Sequence, residues 1–154
     1  FLLTLANFWA SEGASFCETL RRPNAIEGNW SFGVTIHFMD ESLDTGPIID
    51  SETFIFDTND TAFDVYVRAL SLIPRLFERN IGMLLNDPQS VPRRPQTGTA
   101  HFFSKGDISH QVDMEQPPDV VLANIRSLVF PNKEGPYTTV GDTQVYLSLI
   151  DPAH

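Results

Sequence analysis

A chain of 154 residues, 42% hydrophobic and 19% charged, is long and apolar enough to bury the core of one domain. Its 10 Lys and Arg against 20 Asp and Glu give a net charge of −10, which argues against nucleic acid as a partner, because binding a phosphate backbone leans on clustered cations. Cys17 is the one cysteine, so no internal disulfide can form, and no run reaches the roughly 18 apolar residues of a membrane span; a cytoplasmic protein without a membrane partner is expected. Cys17 has no histidine near it and reads as a buried structural thiol. No metal is expected. The apolar start, from Phe1 to Trp9, lacks the basic leader of a secretory signal, and a first residue of Phe rather than Met suits an internal piece of a longer chain.

In chain order, residues 1–6 suit a buried strand. Ser15 is placed to cap a helix over 16–22, with Glu18 at the spacing of a capping box, and Pro23-Asn24 interrupts it. Val34, Ile36 and Phe38 then alternate with Thr35, His37 and Met39, the period of a strand, and His37 is a polar group on a strand that otherwise packs. Asp40, Glu41 and Asp44 follow in close succession. Carboxylates need water or donors while the strands on both sides need burial, so this loop is expected at a sheet edge facing a cleft. Gly46-Pro47 closes it, glycine free to take a positive φ and proline fixing the start of the next strand.

That strand runs over Ile48–Phe56, and the turn at 57–61 can cap a helix through Asp60 or Thr58. In the long helix Phe63, Val67, Leu70, Ile73, Phe77, Ile81 and Leu84 recur at helical spacing, which predicts that this stripe lies on the sheet, and Pro74 predicts a kink near Leu70. Pro88, Pro92 and Pro95 with Gly98 mark an extended connector. A short apolar stretch at 100–103 and a turn at 105–107 follow. Pro117-Pro118 opens a helix over 119–128, and Gly141-Asp142-Thr143 joins the strands of a hairpin, Tyr137–Val140 and 144–150. The chain divides into 1–87, a linker at 88–99 and a small C-terminal subdomain at 100–154.

The run Gly33-Val34-Thr35-Ile36-His37-Phe38-Met39-Asp40-Glu41-Ser42-Leu43-Asp44-Thr45-Gly46-Pro47-Ile48-Ile49 resembles the signature of the folate-dependent formyltransferases. In the tail, Pro95-Gln96 with Gly98-Thr99, then Asn124-Ile125-Arg126-Ser127-Leu128 and Gly135-Pro136-Tyr137, are similar to the region joining the catalytic and C-terminal parts of methionyl-tRNA and sugar N-formyltransferases. Because the tail is short and not basic, the sugar enzymes are the nearer resemblance.

The resemblance implies an α/β fold: a partial Rossmann-like sheet, expected to be parallel, flanked by helices, with a helix and β-hairpin tail. Residues 1–87 would then be the C-terminal half of the catalytic domain. The implied cofactor is 10-formyltetrahydrofolate and the implied partner a small-molecule amine, an amino sugar linked to a nucleotide. Apolar surface left by a missing half-sheet would favour a homo-oligomer. Formyl transfer to an amine passes through a tetrahedral oxyanion and needs proton transfer from the amine. The family uses an Asn-x-His pair and an Asp. The Asp falls on Asp44, and the strand histidine of the signature on His37, which reads equally as a satisfied core histidine. Asp40, Glu41, Ser42 and Leu43 resemble the segment whose backbone receives the pterin. Alignment on Gly13 puts Leu2 and Thr4 where the Asn and His belong. Two readings stay open: a formyltransferase, or a catalytically inactive or truncated homologue that binds folate or a partner. An unrelated hydrolase using Asp40 and Asp44 lacks any accompanying motif.

Overall fold

The structure, a computed structural model, describes residues 3–6, 30–41, 45–97 and 108–150. The expected helix at 16–22 with its Ser15 cap, Cys17, Leu2, the stretch at 100–103 and the turn at 105–107 lie outside the described residues. Strands β1 (Leu3–Ala6), β2 (Trp30–Phe38) and β3 (Ile48–Phe56) form one sheet in that order. Both pairings are antiparallel, which corrects the expected parallel sheet for these strands. A parallel pair needs a crossover of roughly a dozen residues or more, and residues 39–47 are too few to make one between β2 and β3. The partial α/β fold itself is present, since helix α1 (Ala62–Asn86) packs on β2 and β3.

The alternation in β2 sorts its two faces. Phe32, Val34, Ile36 and Phe38 are buried in one core cluster with Ile49, Phe56 and α1. Along β3, Asp50, Glu52 and Phe54 are half-buried, while Ser51, Thr53 and Ile55 are exposed on the opposite face. Gly33 lets the two strands close: a Cβ there would stand 2.7 Å from the Glu52 carbonyl oxygen.

Thr61, rather than Asp60 or Thr58, caps α1. Its hydroxyl accepts from the Asp64 N–H at 3.2 Å while the Asp64 carboxylate accepts from the Thr61 N–H at 2.8 Å, a reciprocal box. Asp60 is held elsewhere, by Arg68 Nη2 at 2.7 Å. The stripe that meets the sheet also differs from the expected one. Ala62, Val65, Ala69, Leu72, Leu76 and Asn80 are the buried positions, whereas Val67, Leu70 and Phe77 are exposed. Two of the buried positions are alanines and one is an asparagine, so a stripe drawn through the large apolar residues misses them. Ile73 and Leu84 pack only at the edge of the core. Pro74 lies inside a helix that continues to Asn86.

Beyond the connector, helix α2 (Pro118–Ser127) starts with Pro118 in its first turn, where a missing N–H costs nothing. Strands β4 (Tyr137–Val140) and β5 (Thr143–Tyr146) form the hairpin, turned by Gly141 at φ +59°. Val112, Val121, Ile125 and Leu128 make a second, smaller core. Phe130 joins the two parts, its ring 5.4 Å from Phe63 and 5.1 Å from Tyr66 with edges turned to faces. Among the described residues no helix is long and apolar enough to cross a membrane.

Candidate functional site

The acidic loop connects β2 to β3, and both its stems are fixed by backbone. The Phe38 N–H donates to the Pro47 carbonyl at 3.0 Å. Gly46 lies against the end of β2 so closely that a Cβ would fall 1.7 Å from the Phe38 oxygen. Glycine is therefore required here for its missing side chain. A positive φ, the expected reason, is found among the described glycines at Gly141. Next to the loop the register slips: Ile36 pairs with Asp50 but His37 with Ile48, leaving Ile49 as the extra residue of a bulge.

His37 is only 2% exposed. Its Nδ1 lies 2.7 Å from the Phe38 carbonyl oxygen. A carbonyl can only accept, so Nδ1 is the donor in this bond. On its other side β2 pairs with β1, and the residue in register with His37 is Thr4. At the loop itself Asp40 and Glu41 are exposed. Thr45 Oγ1 lies 2.9 Å from both oxygens of Asp40, so the carboxylate reaches back across the loop and holds its far end. Ser42, Leu43 and Asp44 lie outside the described residues. The structure thus brings His37, Asp40 and Glu41 to one end of β2.

Sequence reasoning missed the groups around this loop. Asp50, two residues into β3's rise from the loop, accepts from Arg79 Nε and Asn80 Nδ2, each at 2.8 Å, and from the Ser51 N–H at 2.8 Å. Burial pushes the Asp50 carboxyl up, but the donors Asn80, Arg79 and Ser51 together outweigh it and hold the group below the usual carboxylate range. Arg79 also reaches Glu52 at 3.1 Å, and Arg75 reaches it at 3.3 Å. These pairs staple α1 to β3 beside the loop.

The connector is the second omission. Ile48 and Arg94 exchange two backbone bonds, at 2.7 and 2.9 Å. Gln96 Nε2 donates to the Gly46 carbonyl at 2.7 Å, and the Arg93 guanidinium stands 4.2 Å over the Phe38 ring. No periodicity could have revealed these contacts, since each partner lies about fifty positions away in the sequence. A shallow cleft of about 440 Å³ lies in the C-terminal part, lined by Gln111, Asp113, Glu115 and Thr139 among others, and takes in none of the loop residues. Among the described residues no cluster of His, Cys, Asp or Glu could hold a metal.

The loop geometry can be set beside known proteins. No family model matches the chain. Methionyl-tRNA formyltransferase of Roseobacter denitrificans is 31% identical over 123 residues, 79% of this chain and 39% of that protein. The N-formyltransferase of Helicobacter canadensis, solved with folinic acid and dTDP-3-aminofucose, superposes with a TM-score of 0.65 at 26% identity, covering 81% of this chain and 46% of that one. WlaRD, a sugar 3N-formyltransferase solved with dTDP and 5-N-formyl-THF, gives a TM-score of 0.65 at 27% identity, over 81% and 45% of the two chains.

Over about four fifths of its length the chain is similar to folate-dependent formyltransferases in sequence and in fold. It spans less than half the length of each of these relatives. Of the signature from Gly33 to Ile49 the described residues are 33–41 and 45–49, which include the strand histidine, the first two loop carboxylates and the Thr-Gly-Pro that closes the loop.

Proposed function

We propose that this chain carries the acidic loop of an N-formyltransferase that uses 10-formyltetrahydrofolate to formylate a small amine, an amino sugar on a nucleotide, in the cytoplasm. The observation that carries the reading is the loop itself: a buried His37, its Nδ1 held by the Phe38 carbonyl, shortly before exposed carboxylates, on stems pinned by Phe38, Gly46 and Pro47. The Helicobacter canadensis and WlaRD structures, solved with a formyl folate and a dTDP sugar or dTDP, favour the sugar acceptor. So does a net charge of −10, which suits a compact nucleotide in a cleft better than a tRNA backbone.

The loop chemistry fits a pterin. A pterin edge offers ring N–H and amino donors, and the exposed carboxylates of Asp40 and Glu41 with the loop backbone offer acceptors for them. Asp40, Glu41, Ser42 and Leu43 would hold that edge, and Thr45 keeps Asp40 from swinging away. The bound formyl folate supplies the one-carbon unit. Asp44 is assigned the charged role: it stabilises the positive charge that develops on the amine and orients the water and base that take its proton. His37 is assigned a hydrogen bond within the site through Nε2. Residues 1–87 form the catalytic portion, 88–99 the linker and 100–154 a C-terminal subdomain.

A second reading, binding without turnover, rests on one observation. Thr4 is in register with His37, and alignment of the family's motif on Gly13 puts it where the histidine belongs. A threonine hydroxyl cannot take a proton from an amine near neutral pH.

Titration of the chain with folinic acid, followed by the fluorescence of Trp9 and Trp30, tests both. Saturable binding, weakened about tenfold or more by Asp40→Asn, is expected of either reading, given the worth of a charged hydrogen bond. Formyl transfer from 10-formyltetrahydrofolate to a dTDP-amino sugar separates them: turnover supports the enzyme, and binding alone supports the silent homologue. No saturable binding contradicts both.

A further inference from the structure

We propose that residues 91–97 form a positioning strap for the acidic loop, with Gln96 and Arg93 as positioning residues that set the loop's geometry; the inference rests on the formyl-folate reading of that loop. The strap touches both stems. Arg93 caps the Phe38 ring at the end of β2, and Gln96 takes the Gly46 carbonyl on the return. Between them Arg94 is zipped to Ile48 by two backbone bonds, the first residue of β3. Val91, 3% exposed in the main core, anchors the upstream end.

The segment is suited to this in its covalent chemistry. Pro92 and Pro95 flank the Arg pair, fixing φ and biasing the residue before each toward an extended backbone, so little freedom is lost when the strap is laid down. The donor at position 96 is an amide, which donates a hydrogen bond to the Gly46 carbonyl without bringing a charge to the loop. The cation at 93 is directed onto an aromatic face, above the Phe38 ring. Because the same segment leads to the C-terminal part, the position of the loop is coupled to how that part is attached.

Two variants test the strap. Gln96→Ala deletes the donor, and Gln96→Glu keeps the shape but replaces the donor with an acceptor that faces a carbonyl. Amide hydrogen exchange of the peptide covering 39–47 should speed up by about fivefold in Gln96→Ala and at least as much in Gln96→Glu, the size expected for one lost hydrogen bond. The thermal midpoint should stay within about 3 °C of the unmodified chain, as for an exposed substitution. In the same variants folinic acid affinity should fall by a similar factor. Unchanged exchange in both variants, or faster exchange with unaltered folinic acid affinity, would overturn the strap. Failure of the unmodified chain to bind folinic acid contradicts the formyl-folate reading instead, and leaves the exchange of 39–47 to decide whether the strap holds the loop.

Discussion

The two parts of this molecule reach order by different means. From β2 to Val91, a sheet and a long amphipathic helix share one core in which Ile36, Val65 and Leu76 are almost wholly buried. The part from Ile108 to Ile150 has a core of four buried residues, and its hairpin carries Val140 at 65% and Tyr146 at 60% exposure. A two-stranded hairpin is marginal alone. What steadies it is attachment: Gln111 bridges to Tyr137, Leu147 donates to the Pro136 carbonyl, and Phe130 plugs into Phe63 and Tyr66 of the larger part. The lesson is that a loop needing fixed geometry sits on the well-packed part, while the tail depends on that part for its own order.

Substitutions in the large core should break this asymmetry most severely. Leu76→Ala leaves a cavity under α1 and is expected to cost about 2–5 kcal/mol, measured by urea unfolding, and to unfold the tail's attachment along with the body. Gly46→Ala comes next. Its Cβ cannot coexist with the Phe38 carbonyl, so the loop stem must move, at about 1–3 kcal/mol and with loss of the His37 geometry. Phe130→Ala should cost at most about 3 kcal/mol, because the ring is only partly buried, and its effect should be uneven: proteolysis at 108–150 speeds up while α1 keeps its protection. If all three variants melted in one transition with equal losses at both ends, the division into a self-sufficient body and a dependent tail would be wrong.

Two smaller effects sharpen the picture within the body. Thr61→Ala removes the capping box of α1 and should cost about 1 kcal/mol. The Asp50 carboxyl has a depressed pKa in the folded chain, so the stability it brings is fully present above the usual carboxylate value of about 3.9 and is lost as pH falls through its lower folded value. Asp50→Asn should flatten the acid limb of the stability curve in that window. Arg79 is half exposed, so added salt should erase much of the ionic share and leave the Asn80 bond.

What the sequence made legible follows the range of the interactions involved. Strand alternation around Val34, Ile36 and Phe38, the Pro118 start of α2 and the Gly141 turn are local and appeared where expected. The buried face of α1 was not legible, because Ala62, Ala69 and Asn80 lie on it, where a count of large apolar residues sees little. The loop carboxylates were legible through the signature. Asp50 was not, since its partners Arg79 and Asn80 come from another element, and although Pro95-Gln96 belonged to the tail resemblance, the contact of Gln96 with Gly46 was not legible because it spans fifty positions. The direction of the strands was misjudged because family resemblance was read as a parallel sheet, whereas the short 39–47 connection permits only an antiparallel pair.

The central claim is that the acidic loop between β2 and β3 receives a formyl folate. Amide chemical-shift mapping of the chain during addition of folinic acid tests it most directly. The account predicts saturable shifts at Asp40, Glu41, Thr45 and Gly46, with the amides of β4 and β5 unmoved. Shifts confined to the tail, or none at any residue, would contradict it.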